Sequence, residues 1–183
     1  MIKSQGSGET PITRHDPSPW NERRMNHDSY TDAFLKGVLD STKTVAMVGA
    51  SPNWNRPSYF VMKYLQTKGF KVYPVNPRAM GEEILGEQVY GSLDDLPETV
   101  DMVDIFRASD AAGAIADDAV KHGAKTVWMQ LTVRNDDAAE RAETAGLSVV
   151  MNRCPKIEYA RLSGELSWGG FNSGVITSKR RKF

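Results

Sequence analysis

The sequence predicts an α/β protein: a Rossmann-like doubly wound parallel sheet with helices on both faces, three layers in all. Three observations carry this reading. Short apolar runs recur at residues 45–48, 70–75, 102–106, 126–131 and 147–151, each the length of a buried strand. Helical stretches separate them. Lys68-Gly69, His122-Gly123 and Ala145-Gly146 each close a helix just before the next strand. Strand–helix alternation with such short connections implies right-handed crossovers and a parallel sheet. The expected strand order is 3-2-1-4-5, and ligands in such folds lie outside the C-terminal strand ends, at the switch between strands one and four.

The elements follow in order. Residues 1–25 are rich in Ser, Gly, Pro, Thr and charge and read as a flexible leader, with Trp20 the one residue expected to dock. From about Thr31, Phe34, Leu35, Val38 and Leu39 fall on one helix face that covers an edge of the core; Gly37 weakens this helix. After strand one, Gly49-Ala50-Ser51 breaks the chain and Pro57 suits a first helical turn, where its missing N–H costs nothing. Phe60, Val61, Tyr64 and Leu65 give that helix its apolar face. Residues 78–98 read as irregular, broken by Gly81, Gly86 and Gly91, with a short extended piece at 88–90 and a turn of helix near 93–96. Met102 to Phe106 reads as the third strand. Ser109 then suits the N-cap of a helix carrying Ala112, Ile115, Ala116, Ala119 and Val120. Asp136 and Asp137 favour the first turn of a helix over about 135–145. The domain is expected over 26–160, with a tail at 161–183. In that tail Trp168-Gly169-Gly170-Phe171 would pack on the domain or a second copy, and Lys179-Arg180-Arg181-Lys182 would stay solvated.

Composition excludes several classes. The 183 residues carry 23 basic and 23 acidic side chains, so no broad positive field recruits nucleic acid or anionic membrane. A single cysteine, Cys154, excludes an internal disulfide framework and a cysteine zinc cluster. No stretch approaches the roughly 20 apolar residues of a membrane span, and the N-terminus lacks a secretory core, so a cytoplasmic protein is expected. His15, His27 and His122 show no metal-ligand spacing, and no nucleophile–base pair emerges.

The strand ends carry Gly49-Ala50-Ser51, Asn76-Pro77-Arg78, Phe106-Arg107, Gln130-Leu131 and Asn152-Arg153-Cys154. With Arg56, Pro57 and Ser58 at the next helix start, the first turn is an anion site: free backbone N–H groups and the helix dipole point at one spot. A nicotinamide cofactor asks for G-x-G-x-x-G there and an acid after strand two. This turn has one glycine, and no Asp or Glu lies from Gly69 to Gly81. Arg78 suits a phosphate carried on a ribose instead. NADP and coenzyme A both satisfy that chemistry.

The ordered set VGAS, RPS, KVYPVNP, VYGSL, DLPE, VDIFR, KTVWMQL and MNRCPKIE resembles the small stand-alone CoA-binding proteins, colinearly over about 42–158. More distantly, the layout is similar to the nucleotide-binding domain of the succinyl-CoA synthetase alpha subunit. The resemblance implies CoA or an acyl-CoA as ligand. Gly49, Ala50, Ser51, Arg56 and Ser58 would hold the diphosphate, Asn76, Pro77 and Arg78 would border the adenosine end, and Phe106 and Arg107 would form the opposite wall. The pantetheine arm would pass near Gln130 and Cys154. The chain leaves no length for the synthetase's second domain with its phosphorylated histidine, so ligase chemistry is not carried over. A sensor, carrier or regulatory protein without its own catalysis is the expected function, as a homodimer or with a CoA-dependent enzyme partner. The alternatives are an NADP-linked oxidoreductase and a CoA-binding subunit of a larger acyl-CoA ligase. Cys154 is expected to be buried, and Glu158 is the one carboxylate near the site. Trp54 and Trp128 read as packing residues, although Trp54 in the loop would also shield a ligand.

Overall fold

The computed structural model describes residues 25–164. The leader with Trp20, His15 in it, and the C-terminal features from Trp168 onward lie outside them. Helix α1 (Asp32–Ser41) opens the fold, capped by the Thr31 side chain, which accepts from the Phe34 amide. Strand β1 (Thr44–Val48), helix α2 (Pro57–Thr67) and strand β2 (Lys71–Val75) follow. A small hairpin, β3 (Glu83–Ile84) with β4 (Glu87–Gln88), interrupts the alternation. It resumes with β5 (Met102–Ile105), α3 (Ser109–His122), β6 (Thr126–Met129), α4 (Asp136–Thr144), β7 (Ser148–Val150) and α5 (Pro155–Leu162).

The five-stranded sheet has the order β2-β1-β5-β6-β7, every pair parallel. Beyond β2, Tyr90 forms a parallel bridge with Val75: its amide donates to the Pro74 carbonyl and its carbonyl accepts from the Asn76 amide. With this bridge in third place the expected 3-2-1-4-5 order is met. The strand at 102–105 therefore stands fourth rather than third, directly against β1. The true third strand is a single bridge between glycine breaks, too short to show an apolar run. The chain thus reverses direction across the sheet between β1 and β5, where the ligand crevice of a doubly wound sheet forms.

Alternate strand residues feed two cores. Ala46, Tyr73, Val103, Ile105, Val127 and Val149 face α3 and α4, whose buried surfaces are alanines: Ala112, Ala116, Ala119, Ala138, Ala139 and Ala142. These small residues let both helices lie close on the sheet. Val45, Met47, Val72, Met102, Trp128 and Val150 face the other way, against Leu35, Leu39, Val61, Met62, Leu65 and Cys154 from α1, α2 and α5. Three layers result.

Three local expectations are corrected. Ser109 is the first residue of α3, and Ala108 holds the cap position without a side-chain bond. The Ser109 hydroxyl instead ties α3 to the segment after β6, accepting from the Arg134 amide at 3.0 Å. On α2 the buried set is Ser58, Val61, Met62 and Leu65, so the inward face is rotated and Phe60 lies outside it, 47 % exposed. Trp128 is fully buried as expected, but Trp54 is 65 % exposed and packs no core. Among the described residues no helix is long and apolar enough to cross a membrane.

Candidate functional site

The first turn is shaped by a backbone contact. Gly49 has φ +91°, and a Cβ there would sit 2.8 Å from the Phe106 carbonyl oxygen. Only glycine meets both conditions. The Gly49 amide donates to the Val75 carbonyl and the Phe106 amide to the Val48 carbonyl, both at 2.8 Å, so the ends of β2, β1 and β5 are stitched together. Arg107 is drawn in as well: its side chain passes 3.0 Å from the same Cβ position.

Side chains hold the turns. Asn76 donates through Nδ2 to the Ala50 carbonyl at 2.7 Å and accepts the Arg78 amide on Oδ1 at 3.0 Å. One residue thus fixes the first turn and folds the second. The buried Ser58 hydroxyl accepts the Ser51 amide at 3.2 Å, and Ser51 Oγ accepts the Asn53 amide. Pro57 occupies the first helical turn, and no side chain caps Arg56 at the start of α2. The positive end of that helix therefore faces the turn undiminished. Between Asp40 and Glu82 the sequence contains no acid.

The arginines divide sharply. Arg134 pairs with Asp136 and Asp28, Arg141 with Asp117, Arg153 with Glu158, and Arg161 with Glu158 and Asp32. Arg56, Arg78 and Arg107 are the other three arginines among the described residues, and no described carboxylate pairs with them. All three are exposed, one on each of the three neighbouring strand-end turns. The large apolar side chains that lie exposed gather at the same edge: Trp54 in the first turn, Phe60 at the start of α2, Met80 after the second turn and Leu131 after Gln130. Unpaired cations beside exposed apolar groups make a surface suited to a ligand both anionic and partly apolar.

Beneath this edge lies a polar pair that the sequence reading missed. Asp104 is fully buried in β5, and Gln130 Nε2 donates to both its oxygens, at 2.9 and 3.1 Å. Burial pushes the Asp104 carboxyl up to about 8, with the Gln130 bond acting against it. The available signal was one carboxylate inside the apolar run MVDIF. Cys154 is buried at the head of α5, and burial raises its thiol to about 11, with the Ile157 and Lys156 amides acting against it. Such a thiol is a poor nucleophile at neutral pH. Glu158, the carboxylate expected near the site, is also buried and is held by Arg161 at 2.9 Å and Arg153 at 3.7 Å. Trp128 anchors the same loop, its indole N–H donating to the Arg153 carbonyl at 2.8 Å.

The edge spans the ends of β2, β1, β5 and β6, about 14 Å at the usual spacing between strands. The sequence-predicted residues fall along it in the order Asn76-Pro77-Arg78, Gly49-Ala50-Ser51 with Arg56 and Ser58, Phe106-Arg107, then Gln130. Arg78 and Gln130 thus stand at opposite ends of the row. Two clefts of about 310 and 340 Å³ lie elsewhere, lined by Leu39, Asp40 and Tyr159 together with Lys36 or Phe70. Among the described residues no group of three or more His, Cys, Asp or Glu is placed to hold a metal ion.

Residues 43–160 match the family model described as CoA binding domain. The chain belongs to the CoA binding domain family. The resemblance carried by the ordered motifs therefore holds. Among curated relatives, a Bacillus subtilis protein, the uncharacterized YneT, is 31 % identical over 128 residues, 70 % of this chain and 93 % of that protein. The acetate–CoA ligase [ADP-forming] I of Archaeoglobus fulgidus is 30 % identical over 152 residues, 76 % of this chain but 21 % of the ligase. A solved structure of a hypothetical protein from Pyrococcus horikoshii superimposes with a TM-score of 0.72 at 40 % identity, covering 78 % of this chain and 99 % of that one. The CoA binding domain here thus has relatives as small as itself and others in which the matched region is a fifth of a ligase.

Proposed function

We propose that this CoA binding domain protein holds CoA or an acyl-CoA along the C-terminal edge of its sheet and acts as a sensor, carrier or regulator without catalysis of its own. The observation that carries the site is the division of the arginines. Among the described residues four are paired with carboxylates, and the three that are not stand on adjacent strand-end turns. In this reading the diphosphate lies at Gly49, Ala50 and Ser51 with Arg56 and Ser58, over the uncapped start of α2. Asn76, Pro77 and Arg78 border the adenosine and its ribose phosphate, Phe106 and Arg107 form the opposing wall, and the pantetheine arm runs toward Gln130. The linear order of these groups along the edge matches that of the ligand's parts.

Titration calorimetry with CoA and dephospho-CoA tests this directly. Wild-type protein binds CoA saturably, Arg56→Ala weakens both ligands, and Arg78→Ala weakens CoA while leaving dephospho-CoA nearly unchanged. Failure of CoA and acetyl-CoA to bind at millimolar concentration would sink the proposal, and tighter binding of NADP would redirect it to nicotinamide chemistry. The likeness to acetate–CoA ligase supports a second reading, a CoA-binding subunit of a larger ligase. Co-purification of an ATP-grasp protein with the tagged chain is its test.

A further inference from the structure

Asp104 sits in β5 between Met47 of β1 and Trp128 of β6 and has no exposed surface. Its side-chain partner is Gln130, itself 6 % exposed at the end of β6, where the ligand edge begins. A carboxamide has one accepting and one donating end, and a carboxyl can engage it in two ways. An ionised carboxylate accepts only, so the NH2 group turns inward to both oxygens and the carbonyl oxygen Oε1 turns outward. This is the arrangement observed. A protonated carboxyl must place its own O–H, and in this apolar surrounding the acceptor at hand is Oε1. The amide then rotates, forming a ring of O–H···Oε1 and N–H···O bonds, and leaves its second N–H directed outward.

We propose that Asp104 is a positioning residue for the ligand site: through Gln130, its carboxyl decides whether the end of β6 offers a hydrogen-bond acceptor or a donor. The ligand-directed part rests on the CoA reading above. The ionised form offers Oε1 to an N–H or S–H group, as on free CoA. The protonated form offers an N–H to a carbonyl, as on a thioester. Preference between a thiol and its acylated form then follows the protonation of one buried carboxyl.

The surroundings leave Asp104 as the group that changes charge. The inward faces of α1 and α2 bring Leu35, Val38, Leu39, Ser58, Val61, Met62 and Leu65, none of which titrates. From α5 come the Cys154 thiol, raised to about 11, Glu158, committed to its arginines, and Lys156, whose charge acts on Cys154. The Asp104 carboxyl itself is raised to about 8 by burial, which puts both forms within reach of ordinary buffers.

Two measurements test the inference separately. In the free protein, labelled for NMR, the Gln130 side-chain amide shifts should follow the Asp104 carboxyl carbon through one common midpoint. A Gln130 amide that stays fixed while Asp104 titrates overturns the inference, whatever the ligand. Calorimetry between pH 6 and 9 should show the affinity ratio of acetyl-CoA to CoA falling about fivefold with rising pH, the scale of one hydrogen bond matched or mismatched. The ratio should become flat in Asp104→Asn and, should that variant fail to fold, in Gln130→Met. A pH-dependent ratio that persists in either folded variant overturns the inference. Absence of binding by both ligands at every pH would instead remove the CoA reading, and the NMR result would decide the inference alone.

Discussion

Asp101 and Asp104 stand three residues apart, one just before β5 and one inside it, and their carboxyls are driven in opposite directions. Asp101 marks the N-terminal edge of the sheet. Burial works against its charge, but Lys125 Nζ at 2.8 Å and the Lys43 and Thr44 amides at 2.9 and 3.1 Å outweigh it and hold the carboxyl down at about 2. Thr44 Oγ1 also donates to Asp101 Oδ2 at 3.2 Å and accepts the Asp101 amide at 2.9 Å. Nearby, the Val100 amide donates to His122 Nε2, so that end of α3 is tied in as well. Asp104 lies toward the opposite edge, without a cation, and burial drives its carboxyl up to about 8. The arginines divide by strand: those after β6 and β7 and on α4 and α5 are paired, and those after β1, β2 and β5 are not. One end of the sheet satisfies its polar groups internally. The other leaves the cations after β1, β2 and β5 unpaired among the described residues.

The largest expected effect comes from forcing a side chain into the contact that shapes the open edge. Gly49→Val, strained by φ and blocked by the Phe106 carbonyl, should cost about 3 kcal/mol or more in urea denaturation. Asp104→Asn removes the buried carboxyl, and the sign is set by linkage. Between about pH 4 and 8 the folded protein holds a proton on Asp104 that the unfolded chain has released, so wild-type stability falls as pH rises through that window. The variant should therefore match wild type below pH 4 and exceed it by several kcal/mol at pH 8, at about 1.4 kcal/mol per pH unit crossed, read from denaturation midpoints at both pH values. An equal difference at both would refute the assignment of Asp104 as the titrating group.

Smaller effects sharpen the contrast. Arg56→Ala should weaken CoA about tenfold while leaving the melting temperature within a degree or two, because the guanidinium has no carboxylate partner among the described residues to lose. Arg161→Ala should do the reverse, lowering the melting temperature by stranding the buried Glu158 carboxylate and leaving CoA affinity unchanged. If the two variants behaved alike, the division of the arginines would carry no functional meaning. The smallest effect belongs to Asp101. Its depressed carboxyl contributes stability above about pH 4 that is lost as pH falls toward 2, so Asp101→Asn should lower stability modestly at neutral pH and flatten the acid limb of the stability curve.

The large features were legible because they rest on periodicity and punctuation. Apolar runs and helix-closing pairs marked every main strand, and Gly69, Gly123 and Gly146 all take the positive φ that such closures need. The strand-end residues were legible through topology, since any parallel sheet collects its C-terminal turns on one edge. What could not be read were relations between distant segments. Tyr90 takes the third position through two backbone bonds to Pro74 and Asn76, which no local pattern encodes. Asp104 hid within an apolar strand because its meaning depends on Gln130, 26 positions away. Nor could the sequence separate Arg56, Arg78 and Arg107 from the paired arginines, because pairing is settled by folded distance. Phe60 and Trp54 were misjudged for a related reason. Apolar character at an exposed edge resembles core until the rest of the core is filled.

Among the described residues, two indoles sit in opposite environments and give the molecule an optical readout. Trp54 stands in solvent in the first turn, and Trp128 lies sealed in the sheet with its N–H bonded to a carbonyl. The first emits as a water-exposed fluorophore that small quenchers reach, the second as a shielded one. With Trp20 and Trp168 replaced by Phe, a molecule settling over the turn alters the red component, whereas loss of the fold moves the blue one, so occupancy and integrity are reported at different wavelengths.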